Sequence, residues 1–281
     1  MNINERFSQK HVVIFSFLVG LIFVAIFGFG LFHLILAFTF PHFLAIPSMD
    51  YLFSSINNFI AFILLIALIK KIDLFKNIPW NIGGIKKGLL LGFTLIVFTI
   101  LQMALIYSNA LDKNIVFNLI TMLNTVIYCI SIGLWEETLC RGLLLTNMLK
   151  KWGNTKKGLV ISIILSSVIF GGLHIISAFN AGLIPALIQV SYASIMGILL
   201  AIIYIKTKSL WSVIVLHIIL NFSAYSMPYL VPGSIGNPPY FIIFLILFNV
   251  LWLVLSFFLI VKMDVEDINN LLYFNQEHEH Q

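Results

Sequence analysis

The stretch "IVFNLITMLNTVIYCISIGLWEETLCRGLLLTNML" occupies residues 115–149 and predicts one continuous helix of 35 residues. Such a helix is ~52 Å long, whereas the hydrocarbon core of a bilayer is only ~30 Å thick. The helix must therefore tilt, break at a residue such as Gly133, or project out of the membrane. It also carries Glu136, Glu137 and Arg141 inside an otherwise apolar segment.

The composition indicates a membrane protein. Of the 281 residues 60% are hydrophobic and only 10% are charged, and the mean hydropathy is +1.05. A soluble domain carries about 25% charged residues. The net charge of +5 comes from lysines clustered between apolar runs, an arrangement typical of loops that flank a membrane rather than of a nucleic-acid interface.

Eight apolar runs are long enough to span a bilayer. They occupy residues 12–38, 52–69, 88–107, 115–135, 159–178, 182–204, 209–227 and 240–261. We therefore expect an all-α fold of eight transmembrane helices in a single domain, residues 1–281. Its motif-bearing core is residues 115–227, and residues 264–281 form a polar tail that we expect to be solvated.

The basic residues give the orientation. With the N-terminus in the cytoplasm and eight alternating spans, 14 of the 16 basic residues fall on the cytoplasmic side, as the positive-inside rule requires. Both termini are then cytoplasmic, and the first helix is too long for a cleaved signal. Abundant Lys, Asn, Ile and Phe favour a bacterial host and hence the plasma membrane.

The two glutamates are predicted to have different roles. Glu137 and Arg141 are four residues apart and share a helix face, so they can form an ion pair. Glu136 is rotated by ~100° from Glu137 and is left free for chemistry. The alternative is that both glutamates lie at the inner interface in contact with water.

Two other apolar runs carry histidines. Phe170 and His174 are four residues apart, beside Gly171–Gly172, where a second helix can approach closely. His217 and Asn221 have the same spacing. All of these side chains can instead serve as interhelical contacts, although ionisable groups inside a membrane indicate a functional site by default.

Considered together, these residues are the parts of a hydrolytic site. Counted from the basic boundaries, Glu136, His174 and His217 lie ~21, ~26 and ~14 Å along their helices. If the fourth helix projects inward by a turn or two, all three meet in the inner half of the membrane. A carboxylate and a histidine can deprotonate water. A second histidine and an amide can stabilise an oxyanion.

The motifs E-E-x-x-x-R at 136–141, F-x-x-x-H at 170–174 and H-x-x-x-N at 217–221 resemble those of the CPBP intramembrane proteases. This family comprises CAAX-processing and bacteriocin-processing proteins and is also known as the Abi family. The resemblance implies eight transmembrane helices around an intramembrane cavity and hydrolysis of peptide bonds near the membrane. It spans residues 133–221.

The resemblance also implies the roles of individual residues. Glu136 and His174 would activate the water, and His217 with Asn221 would form the oxyanion hole. Glu137 and Arg141 would support the site, together with Phe170. The implied substrate is a membrane-associated peptide or protein.

No cofactor or metal is expected. Cys129 and Cys140 would lie ~16 Å apart along one helix, too far for a disulfide. Two glutamates and two histidines could in principle compose a zinc site, but H-E-x-x-H is absent from the sequence and an ion-paired Glu137 is a poor ligand.

Two alternatives to an enzyme remain. Some proteins of this family act as bacteriocin-immunity or regulatory membrane scaffolds, with a regulatory membrane partner that the sequence does not identify. A transporter is disfavoured, because paired helices broken by Gly or Pro do not occur at equivalent positions.

Overall fold

The structure is a computed structural model that describes residues 47–108, 118–230 and 241–274, with a few isolated positions before residue 47. Every regular element in these ranges is helical, and none is a strand. The predicted all-α class is therefore confirmed for the part of the chain that the structure describes.

Ten helices, numbered in chain order, organise these ranges. They are α1 (Pro47–Lys71), α2 (Ile85–Leu91), α3 (Phe93–Ser108), α4 (Leu119–Glu137), α5 (Thr146–Trp152), α6 (Lys156–Leu173), α7 (Leu183–Thr207), α8 (Leu210–Leu230), α9 (Phe241–Val261) and α10 (Val265–Leu272). Short 3₁₀ turns occupy Phe75–Asn77, Ile82–Gly84 and His174–Ser177, a single α-turn occupies Ala178–Ala181, and Thr138–Leu145 is π-helical.

Five helices are long and apolar enough to cross a membrane. They are Asp50–Lys71, Leu119–Trp152, Lys156–Ser177, Leu183–Thr207 and Phe241–Val261. Each overlaps one predicted span. The predicted count of eight is not confirmed by the described residues, and the span at 12–38 lies outside them.

Two predicted spans differ from simple membrane helices. The run at 88–107 is a bent pair, Phe75–Leu91 and Phe93–Ile106, whose axes differ by 63°. Gly92 lies at the bend, where an added Cβ would be 2.6 Å from Leu216 of α8. The run at 209–227 forms a shorter apolar helix, Leu210–Ser226. Hydropathy alone could not distinguish either from a straight span.

The long fourth segment does not break at Gly133. It continues as Leu119–Trp152, 34 residues, with the π-helical stretch between two α-helical parts. Gly133 lies within α4, where an added Cβ would be 2.9 Å from Ile218 of α8. Its role is therefore a close helix approach rather than a hinge.

The buried core lies where α4, α6, α7 and α8 meet. Helices α6 and α7 pack against each other extensively, and both α1 and α8 pack against α4. By contrast, α9 exposes large apolar side chains, including Ile243, Leu247 and Phe257. Such an apolar face is typical of a helix in contact with lipid.

Part of the predicted solvated tail is a docked helix. Asp264 caps α10 in a reciprocal capping box with Asp267, and Asp267 forms a 2.9 Å ion pair with Lys206 of α7. Ile268 and Leu271 are buried. Their spacing of three residues is an amphipathic signal that the polar composition of residues 264–281 obscured.

Candidate active site

The two glutamates end α4, immediately before the π-helical stretch Thr138–Leu145. Glu137 is fully buried, whereas the Glu136 side chain is 17% exposed. Neither glutamate is therefore at a fully hydrated interface, which was the alternative interpretation of the sequence. A π-helical turn is rare and is frequently found at functional sites.

Arg141 is held by three partners. Its Nη1 donates to Glu137 Oε1 at 2.8 Å, and its Nη2 donates to the carbonyl oxygen of Gly197 on α7 at 3.0 Å. The guanidinium group also lies 4.6 Å from the centre of the Phe170 ring, within the range of a cation–π contact. The predicted pairing of Glu137 with Arg141 is present, and Phe170 supports it.

His217 lies between the two carboxylates. Its Nδ1 is 2.7 Å from Glu137 Oε1, and its Nε2 is 3.7 Å from Glu136 Oε2. Glu137 is thus not only the partner of Arg141, since the same oxygen also orients the His217 ring. No local signal in the sequence predicts this contact, because it joins two residues on different helices that are 80 positions apart in the chain.

His174 begins the 3₁₀ turn at the end of α6. Its Nδ1 is 3.0 Å from the Phe170 carbonyl oxygen. A carbonyl can only accept, so Nδ1 carries the proton and Nε2 of the neutral ring is an acceptor. The Phe170 ring centre lies 5.2 Å from the His174 ring and 5.7 Å from the His217 ring, so Phe170 contacts both histidines.

The structure does not join all of the predicted residues directly. Within the ranges that it describes, no hydrogen bond or ion pair connects His174 to Glu136. Asn221 lies one turn beyond His217 on α8, and its buried amide nitrogen has no hydrogen-bond partner among the described residues. The same holds for Oε2 of Glu136 and of Glu137.

These unpaired polar atoms give the site its chemical capacity. Buried donors and acceptors are nearly always paired in folded proteins. Two carboxylate oxygens and one amide nitrogen without partners can therefore bind a polar ligand such as water or a peptide group. The 3.7 Å separation of His217 from Glu136 exceeds a direct hydrogen bond and fits a bridging group.

An aromatic cluster lies beyond this site. Tyr128 is eight residues before Glu136 on α4, and Tyr225 is eight residues after His217 on α8. The Tyr128 ring centre lies 5.0 Å from that of Tyr225 and 4.6 Å from that of Tyr51 on α1. None of these tyrosines belongs to the three motifs, and a spacing of eight residues places Tyr128 and Tyr225 ~12 Å along their helices from Glu136 and His217.

The described residues contain no group of three or more His, Cys, Asp or Glu side chains arranged to hold a metal ion. Cys129 and Cys140 are buried free thiols. A metal-independent site thus stays a prediction.

Comparison with known proteins gives one match. Residues 117–223 match the family model described as "Type II CAAX prenyl endopeptidase Rce1-like". No curated protein and no solved structure matches the chain. The matched segment contains all three motifs together with α4, α6, α7 and the π-helical stretch. The predicted resemblance to the CPBP family of proteases is therefore confirmed, through the Rce1-like match over residues 117–223.

Proposed function

We propose that this chain is an intramembrane endopeptidase that hydrolyses membrane-associated peptides with a water molecule activated by Glu136 and His174. The main support is the meeting of two carboxylates and an imidazole from α4 and α8 in a buried site that retains unpaired polar atoms.

In the proposed reaction, Glu136 accepts a proton from water while the water oxygen attacks the scissile carbonyl carbon. The protonated Glu136 then gives that proton to the leaving amine as the C–N bond breaks. The His174 Nε2 lone pair positions the same water. Its Nδ1–H bond to Phe170 supports this role, because the bond fixes the tautomer.

We assign the oxyanion contacts to Asn221 Nδ2 and His217 Nε2. For His217, this assignment requires both ring nitrogens to carry protons, because Nδ1 already faces the Glu137 carboxylate. Glu137 and Arg141 hold the imidazole in place and do not react.

The decisive experiment does not require the substrate in advance. Membranes from cells that express the wild type, Glu136→Gln or His174→Ala are compared by mass spectrometry of newly formed peptide termini. We expect termini that appear with the wild type and disappear with both variants. Identical termini in all three, from equal amounts of folded protein, would refute the protease and favour the immunity or scaffold alternative.

The substrate class is tested with two fluorogenic peptides, one bearing a farnesylated CAAX terminus and one an unmodified membrane-spanning segment. The match to a family of CAAX prenyl endopeptidases supports the first, whereas the composition, which favours a bacterial host, supports the second. Cleavage that depends on Glu136 assigns the substrate class, whereas cleavage by the purified protein that persists in Glu136→Gln contradicts the role proposed for Glu136.

The metal-independent chemistry is tested by treating the purified protein with 1,10-phenanthroline or EDTA. We expect cleavage to be unchanged, because the proposal gives every chemical role to a side chain. Loss of activity that is restored by added zinc would replace the proposal with a metallopeptidase.

We also propose that the chain lies in the bacterial plasma membrane with both termini in the cytoplasm. Lys71 is exposed at the end of α1, and Lys208 is partly exposed at the end of α7. Lys71→Cys and Lys208→Cys should react with a membrane-impermeant maleimide in inverted vesicles and not in intact spheroplasts. The wild type is the control, since Cys129 and Cys140 are buried. Labelling in intact spheroplasts would contradict this orientation.

A further inference from the structure

The π-helical stretch has a side-chain anchor outside the three motifs. The Arg141 carbonyl accepts the backbone N–H of Thr146, five residues later, instead of the usual partner at four. The Thr146 hydroxyl also donates to this carbonyl oxygen, at 2.8 Å. Thr146 therefore binds the wide turn at Arg141 twice.

Tyr204 of α7 completes this anchor. Its hydroxyl oxygen lies 3.0 Å from Thr146 Oγ1. Thr146 has already donated its only hydroxyl proton to Arg141, so Tyr204 must be the donor in this bond. Both side chains are fully buried, where a hydrogen bond is stronger than in water and its loss costs more.

Helix α7 thus holds both the side chain and the main chain of Arg141. Gly197 binds the guanidinium through its carbonyl oxygen, and Tyr204 binds the Arg141 main chain through Thr146. Gly197 and Tyr204 are seven residues apart, which is two helical turns on one face and ~10 Å along the axis. A rigid helix therefore sets both the position and the direction of the arginine.

The position of Arg141 in turn affects the reacting groups. Glu137 Oε1 accepts from Arg141 at 2.8 Å and lies 2.7 Å from His217 Nδ1. A shift of the arginine moves this shared oxygen and with it the imidazole that faces Glu136.

We propose that Thr146 and Tyr204 are positioning residues, a buried hydroxyl pair that fixes the π turn and thereby sets the Arg141–Glu137–His217 chain. Their effect on catalysis rests on the function proposed above. Neither residue belongs to a motif, and neither touches the reacting atoms.

The test uses the full-length protein in lipid nanodiscs with four variants. Thr146→Val and Tyr204→Phe each remove one hydroxyl at nearly constant shape, and Thr146→Ser keeps the hydroxyl of Thr146. Thr125→Val, on α4, is the matched control. Like Thr146, Thr125 is buried, and its hydroxyl donates to the Thr121 carbonyl oxygen. It has no link to Arg141.

The first measurement needs no substrate. A histidine N–H in a short hydrogen bond to a carboxylate gives a low-field proton resonance, assigned to His217 by its loss in His217→Gln. We expect Thr146→Val and Tyr204→Phe to shift or broaden this resonance at fixed pH. Thr146→Ser and Thr125→Val should leave it unchanged. An unchanged resonance in both hydroxyl-deletion variants overturns the proposal, as does an equal shift in Thr125→Val.

The second measurement is the steady-state kinetics of peptide cleavage, which separates a role in positioning from a role in folding. We expect Thr146→Val and Tyr204→Phe to lower kcat about fivefold or more with little change in KM, with recovery in Thr146→Ser. If Glu136→Gln abolishes cleavage but both variants keep the wild-type kcat, positioning is disproved and the protease stands. If Glu136→Gln retains cleavage, the proposed function fails, and the resonance alone still decides whether the hydroxyl pair sets His217.

Discussion

At the residue scale, Glu137 is the centre of the candidate site, because one of its oxygens serves two helices. Arg141 lies on the same helical segment, and His217 lies on α8. A carboxylate that orients a histidine is a recurring arrangement, since it fixes both the tautomer and the ring direction. Glu136, one residue earlier, is turned by ~100° and keeps an unpaired oxygen.

The first prediction concerns the unequal roles of the two glutamates. Glu137→Ala should destabilise the protein by about 3–5 kcal/mol, because it leaves Arg141 and His217 without their buried partner. Glu136→Ala should cost far less, since its nearest ionic contact is 3.7 Å long. Thermal unfolding in detergent measures both. Equal unfolding temperatures would remove the division between a structural and a reactive glutamate.

At the element scale, close packing of α6 against α7 holds the Phe170 ring beneath Arg141. A Cβ added at Gly171 would lie 2.5 Å from the Val190 carbonyl oxygen and 1.9 Å from Ser194 Oγ of α7. At Gly172 a Cβ would meet no atom within 4 Å. The predicted close approach at Gly171–Gly172 is therefore confirmed for Gly171 only.

The second prediction uses this contrast between neighbouring glycines. Gly171→Ala should separate α6 from α7 and cost about 1–3 kcal/mol or more, because the backbone of α7 must move. Gly172→Ala, in the same helix, should be neutral or stabilising by up to about 1 kcal/mol, since alanine is the better helix former. Thermal unfolding of the two variants gives the comparison, and an equal loss in both would show that the α6–α7 contact is not limiting.

At the scale of the whole molecule, the C-terminal helix α10 closes one end of the bundle. Besides the ion pair of Asp267 with Lys206, the Asn77 side chain donates to the Leu272 carbonyl oxygen at 3.2 Å. Ile268 packs against Gly153, since a Cβ added at Gly153 would be 2.9 Å from the Ile268 side chain. Helix α10 therefore connects the end of α7 to the turns that follow α1 and α5.

The third prediction is that Ile268→Asp releases α10, because it places a charge in a buried apolar contact. Limited proteolysis in detergent should then cut after Asp264, while the remainder of the bundle stays intact. Asn269→Asp adds the same charge at an exposed position and should stay resistant. Equal resistance of Ile268→Asp would mean that polar contacts alone hold the helix.

The sequence by itself determined the features that depend on composition and local spacing. Apolar runs predicted an all-helical membrane protein, and a spacing of four residues predicted the ion pair of Glu137 with Arg141. Both follow from helix geometry and solvent preference, which require no knowledge of neighbouring helices. The three motifs also predicted the resemblance to the CPBP family, which the match over residues 117–223 confirmed.

Only the tertiary structure decided which helices meet and which side chains they bring together. It placed His217 against Glu137 and continued α4 through a π-helical stretch instead of a break at Gly133. It also bent the third predicted span by 63° and docked α10, which the sequence interpretation had left in solvent. The physical reason is that contacts between helices depend on side-chain packing between distant segments, and periodicity within one helix contains no information about that packing.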